Sequence, residues 1–121
     1  MLTLICGMPR AGKTTMSEKY NCEVVHLDYI GVDRCLKKAK TDNDIVLEGV
    51  FGNTNVRHKI CENYLGNEKV CIWLDTPLEV RKKRTGWSKF CECVIFNPPT
   101  LEEGWDKIII IREDNVTEIC K

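Results

Sequence analysis

Short, continuous apolar runs alternate along this chain with segments whose apolar positions recur every three or four residues. The continuous runs predict strands over residues 2–6, 23–27, 45–48, 69–74 and 107–111. The periodic segments predict helices over 13–20, 32–40, 54–65 and 77–84. Asn21 is a stop for the first helix, and Gly66-Asn67 is one for the third. Pro77 suits the first turn of the fourth. Residues 85–100 carry Gly86, Pro98 and Pro99 and are expected to be irregular. The tail, 113–121, is expected to pair loosely or fray. Strands that are apolar throughout and alternate with helices imply a parallel sheet covered on both faces. Ligands then sit beyond the carboxyl ends of the strands. That edge gathers the loop after residue 6, Asp28, Glu48 and Asp75.

The chain has 121 residues, the size of one domain, here taken as residues 1–121. Eighteen basic and 18 acidic residues balance to zero. That argues against a strong, sequence-independent grip on long nucleic acid, which needs many phosphate contacts. No apolar run approaches the roughly 20 residues of a membrane span, so no membrane partner is expected. Eight cysteines raise the question of a disulfide framework. It is set aside because the N-terminus runs into a strand with no secretory pattern, and four of the eight fall in predicted strands or helices. A reducing, cytoplasmic location follows as an expectation. Cys91-x-Cys93 lacks the paired spacing of a zinc site.

Residues 7–14, Gly-Met-Pro-Arg-Ala-Gly-Lys-Thr, read G-x-x-x-x-G-K-T between a predicted strand and a predicted helix. This is the phosphate-binding loop of P-loop nucleotide enzymes, in the context that motif requires. Gly7, Pro9, Ala11, Gly12, Lys13, Thr14 and Thr15 are the expected nucleotide contacts. Glycines let backbone N–H groups turn toward an anion, Lys13 would reach the β- and γ-phosphates, and Thr14 would place a hydroxyl on Mg²⁺. The expected fold is a three-layer α/β/α P-loop NTPase with a five-stranded, mostly parallel sheet, binding ATP and Mg²⁺.

Phosphoryl transfer further needs a base or aligner for the acceptor and cations for the transferring group. Asp28, at the tip of the second strand, is the candidate general base, with an N-cap role as its rival reading. Glu48 would hold a Mg²⁺ water or the acceptor, or is a plain strand-end carboxylate. Arg81-Lys82-Lys83-Arg84 is the densest positive run, and Arg81 or Arg84 would be a lid arginine closing on the phosphates. Arg34 and Arg57 are candidates for acceptor binding. Trp73 follows a strand pattern and is expected in the core, whereas Trp87 and Phe90 are candidates for stacking on a base.

Two further segments resemble the kinase domain of the polynucleotide kinase/3′-phosphatase family and its phage relatives. Residues 26–35, His-Leu-Asp-Tyr-Ile-Gly-Val-Asp-Arg-Cys, resemble that family's segment after strand two. Residues 96–108, Phe-Asn-Pro-Pro-Thr-Leu-Glu-Glu-Gly-Trp-Asp-Lys-Ile, resemble its Phe-x-x-Pro-x-x-x-Glu-Gly-Phe-x-x-Ile. With the loop, the likeness spans nearly the whole chain. It implies that Asp28 activates a 5′-hydroxyl, that Arg57 lies on the acceptor side, and that Arg81 or Arg84 is the lid arginine. The lid is much shorter here, and Asn53-Thr54-Asn55 falls five residues later than the family's similar tetrapeptide. The expected activity is therefore transfer of the γ-phosphate of ATP to a hydroxyl, most of all the 5′-OH end of DNA or RNA. Two alternatives stand beside it: a small-molecule kinase acting on a nucleoside, sugar or antibiotic, and a non-catalytic ATP-binding module, which has no need of Asp28.

Overall fold

The computed structural model describes residues 1–84 and 86–121; Thr85, the first residue of the stretch expected to be irregular, lies outside the described residues. β1 (Leu2–Gly7) is buried along its whole length, as a strand flanked and covered on every side must be. It leads through the 7–14 loop into α1 (Lys13–Ser17). β2 (Glu23–His26), α2 (Leu27–Thr41), β3 (Ile45–Glu48), α3 (Thr54–Asn63), β4 (Lys69–Leu74), α4 (Leu78–Lys82), β5 (Lys107–Arg112) and β6 (Asn115–Cys120) follow. Short 3-10 turns occupy Lys89–Glu92 and Leu101–Glu103.

Among the described residues the sheet has six strands in the order β2-β3-β1-β4-β5-β6. The first five are parallel. The sixth corrects the expectation of five: the tail pairs antiparallel with β5 over its whole length, from Lys107↔Cys120 to Arg112↔Asn115. Every β6 residue is exposed. A strand pressed against no core needs no apolar alternation, so its sequence carries no periodic signal; the hydrogen-bond ladder and the turn after Arg112 hold it.

Two apolar layers lie on opposite faces of the sheet. Leu2, Leu4 and Cys6 of β1 point into one, with Leu47 of β3, Cys35 and Ala39 of α2 and Ile60 of α3. Ile5 points into the other, with Val46, Ile72 and Leu74 and with Met16 and Tyr20 beside α1. The period-two alternation along β1 makes this division. Trp73 packs against the first layer, stacked on Phe96 at 5.8 Å between ring centroids. All eight cysteines are free, with Cys6 and Cys71 in thiol contact at 3.7 Å between β1 and β4.

All four helices differ from their expected spans, α3 only in stopping at Asn63, two residues early. α1 stops at Ser17, whose hydroxyl donates back to the Thr14 carbonyl at 2.7 Å, a local bond that competes with the helix. α4 is likewise limited to Leu78–Lys82. α2 begins five residues early with a single turn, 27–30, separated from the rest by Gly31 at φ 80 and ψ 170, a backbone state natural only to glycine. Leu27 and Ile30, three apart on that turn, pack against the core, and Asp28 and Tyr29 between them stay exposed. Asn53 turns out to be the N-cap of α3, its side chain accepting from the amides of Asn55 (2.8 Å) and Val56 (3.2 Å).

Candidate functional site

β1 sits where the strand order reverses, with β3 on one side and β4 on the other, the position at which such sheets open a crevice. A cavity of about 620 Å³ lies there, walled on one side by the loop through Pro9, Gly12, Lys13, Thr14 and Thr15. The ends of β2 and β3 and the first turn of α2 form the other side, through His26, Asp28, Tyr29 and Glu48. Arg84, Phe90 and Cys91 reach it from the segment after α4.

The loop conformation depends on its glycines. A Cβ on Gly7 would meet the Leu74 carbonyl at 2.7 Å, and Gly12 holds φ 104, so both positions exclude other residues. Lys13 is half-buried and donates to the Met8 carbonyl at 2.9 Å. Burial lowers its pKa below the ordinary lysine value, against the opposing pull of the Glu48 and Asp28 charges. Gly7 and Ala11 are buried beneath the loop, and Thr14 and Thr15 are exposed at the cavity.

Glu48 ends β3 beside β1, in register with Ile5, and is buried. In the parallel register of β2 and β3 its partner is His26, whose Nδ1 donates to Glu48 Oε1 at 2.5 Å. His26 in turn holds the Tyr29 ring, 5.3 Å away and tilted by 60°. Neither His26 nor Tyr29 was among the expected site residues. Their only sequence signal is their place beside Asp28, because strand register, which brings His26 to Glu48, is not written in any local pattern.

Four expected roles change. Arg57 is fully buried and cannot reach an acceptor: its Nε and Nη2 each donate to Glu103 at 2.8 Å, and Nη1 donates to the Phe51 carbonyl at 2.6 Å. Burial works against its charge, but Glu103 outweighs burial and holds its pKa above the ordinary value. Arg81 is also buried. It donates to the carbonyls of Thr76 (3.0 Å) and Pro9 (3.2 Å) and lies over the Trp87 ring, so it braces the loop from behind while Trp87 is spent on packing. Arg34 is exposed on α2 and does not line the cavity. Asp75 accepts from Arg112 at 3.0 and 2.6 Å instead of facing the cavity.

Of the expected arginines, Arg84 remains at the cavity, exposed, donating to the Arg10 carbonyl at 2.6 Å. Arg10 donates in turn to the Gly86 carbonyl at 3.3 Å, so the segment after α4 is latched to the loop. A smaller hollow of about 210 Å³ adjoins the cavity, sharing Gly12, Thr15 and Arg84 and adding the apolar Met16, Leu74 and Ile111.

Oxygen donors suit a hard cation such as Mg²⁺, which commonly takes one or two protein ligands and fills the rest with phosphate and water. The Thr14 hydroxyl and the Glu48 carboxylate are such donors on facing walls, and Glu48 has Oε2 left once Oε1 bonds His26. A dedicated cluster of three or more acidic, histidine or cysteine side chains is absent among the described residues. No helix among them is long and apolar enough to cross a membrane. The sequence matches no protein-family model, and no curated protein matches it.

Proposed function

We propose that this chain is a small P-loop kinase that transfers the γ-phosphate of ATP to a hydroxyl. The observation that carries the reading is the single cavity wall-to-wall between the G-x-x-x-x-G-K-T loop and a carboxylate, Asp28, at the switch point of a largely parallel sheet. The loop binds the phosphates, with Lys13 as its charge. Thr14 and Glu48 are the residues to hold Mg²⁺, which when bound with the nucleotide neutralises phosphate charge. The apolar hollow beyond Gly12 suits the donor base. Arg84, already at the loop, is the cation for the transferring group. Asp28 takes the proton of the acceptor hydroxyl. The resemblance of residues 26–35 and 96–108 favours a 5′-OH nucleic acid end as acceptor. The loss of Arg57 and Arg34 from the site keeps a small hydroxylated acceptor as the second reading.

The test is transfer of label from γ-labelled ATP with Mg²⁺ to 5′-OH DNA and RNA oligonucleotides, nucleosides and sugars. Label on any of these supports the kinase. ATP binding with no label anywhere favours a non-catalytic binding module.

The pH dependence of ATP binding gives a separate prediction. A bound phosphate raises the pKa of Lys13, which burial has lowered in the free protein. Affinity is therefore expected to be flat while Lys13 is charged, and to fall as pH rises through that lowered value. Equilibrium titration with a fluorescent ATP analogue from neutral to alkaline pH reads it. A profile flat to beyond the ordinary lysine range would mean that Lys13 does not face the anion.

A further inference from the structure

The loop side and the β2–β3 side of the cavity differ in charge. Arg10, Lys13 and Arg84 belong to the loop or to the segment latched to it, whereas the β2–β3 side carries Asp28 and Glu48. Among the described residues, no lysine or arginine lines that second side. An acceptor phosphate placed there would meet two carboxylates and no lysine or arginine on its own side.

The same side presents an unused aromatic ring. Tyr29 is 83% exposed at the cavity, yet it is not loosely held. Its turn is fastened by Leu27 and Ile30 to the core. Its ring rests against His26, and His26 is bonded to the buried Glu48. An aromatic ring set against His26 and left open beside a candidate base offers a face for stacking. Phe90, 77% exposed, adds a second ring to the same cavity from the segment after α4.

We propose that the β2–β3 side of the cavity is a subsite for an uncharged nucleoside, its base stacked on Tyr29 and its hydroxyl offered to Asp28, with no acceptor phosphate gripped. The inference rests on the kinase reading and deepens it. Every nucleobase has a π-face, so the subsite tolerates any base, and stacking of this kind is worth roughly 5- to 150-fold in affinity. The nucleoside is either free or the 5′-terminal unit of a strand, and both present the same chemistry to Tyr29. It also explains how a chain of zero net charge takes such an acceptor: it reads one nucleoside by contact and leaves the phosphate track alone.

Calorimetric titration of thymidine, adenosine, ribose and a 5′-OH thymidine dinucleotide into the ADP- and Mg²⁺-loaded protein tests the subsite, alongside phosphate transfer from ATP. Nucleosides are expected to bind at least about tenfold more tightly than ribose. Tyr29→Ala should weaken nucleoside binding by about 10- to 100-fold and raise the acceptor KM far more than it lowers kcat. Tyr29→Phe, which keeps the ring, should recover most of that loss, and ADP affinity serves as the control for folding. Between about 50 and about 200 mM salt the acceptor KM should change by no more than about twofold. Ribose binding as well as thymidine, nucleoside binding indifferent to Tyr29→Ala, or a tenfold loss of acceptor affinity with salt would each overturn the subsite. Equal use of thymidine and dinucleotide supports it with a free nucleoside as the source; preferential, still Tyr29-dependent transfer to the dinucleotide supports it with a strand end. Tyr29-dependent nucleoside binding without any transfer would support the subsite and sink the kinase reading.

Discussion

Asp28→Asn is expected to lower phosphate transfer by about 10²- to 10⁴-fold, the range a positioned general base contributes, while ATP affinity stays within about twofold. The amide has the shape of the carboxylate but cannot accept the proton. Asp28 lies on the one-turn segment before Gly31, exposed at the cavity, so the substitution removes no packing. It does remove one of the two carboxylate charges that sustain the proton on Lys13, so the Lys13 pKa should fall further. At neutral pH this leaves donor binding nearly intact if Lys13 is still charged, and shifts the alkaline fall in affinity to lower pH. Steady-state transfer and equilibrium ATP binding on the same preparation separate the two effects. Turnover that survives the change would take the base role away from Asp28. His26, held through Nδ1 by Glu48, would be the next residue to substitute. Lys13→Ala, by contrast, should lose both binding and transfer, because the charge it removes meets the phosphates in the ground state and in the transition state.

Glu103→Ala is expected to cost about 3–5 kcal/mol of folding stability, the loss typical of stranding one partner of a buried ion pair. The melting temperature should drop on the order of 10–20 °C for a domain of this size. The reason is the number of groups that converge on one carboxylate. Arg57 donates to both of its oxygens, the fully buried Trp105 donates its Nε1 at 3.0 Å, and the Thr100 amide donates at 3.3 Å in a capping box. Among the described residues no buried side-chain polar atom is left unpaired; the variant would leave the Arg57 guanidinium with one carbonyl and one hydroxyl. Arg57→Met with Glu103→Leu should recover only part of the loss, because it removes the stranded guanidinium but leaves the Trp105 Nε1–H without its acceptor and the Phe51 carbonyl without its donor. Thermal and urea denaturation of the single and double variants would measure this. A single-variant cost under about 1 kcal/mol would mean the pair is solvated in solution. The network also gives the Pro-Thr-Leu-Glu-Glu-Gly stretch a physical meaning: it clamps the segment before β5 onto α3, away from the cavity.

What could be read from the sequence follows a pattern. The five parallel strands were legible because each is a short apolar run, and burial on both faces writes itself into composition. The G-x-x-x-x-G-K-T loop was legible because its backbone needs glycine at two fixed points. Glu48 could be placed at a strand end, and that is where it lies. β6 escaped because an exposed edge strand carries no burial pattern. Arg57 was misjudged because an arginine on a helix looks the same whether its face meets water or a carboxylate 46 residues away. Arg81 and Arg84, three apart on one charged run, proved to differ entirely, one buried behind the loop and the other at the cavity.

The sequence by itself determined the order of elements from β1 to β5, the parallel core strands and the loop that turns between β1 and α1, since propensity, burial and glycine geometry all act over a few neighbouring residues. Only the tertiary structure decided which charges face the cavity. It set His26 on Glu48 through strand register, fixed Tyr29 as an open ring, and withdrew Arg57 and Arg81 into the interior. Those outcomes depend on contacts between residues tens of positions apart, and no local pattern encodes such pairings.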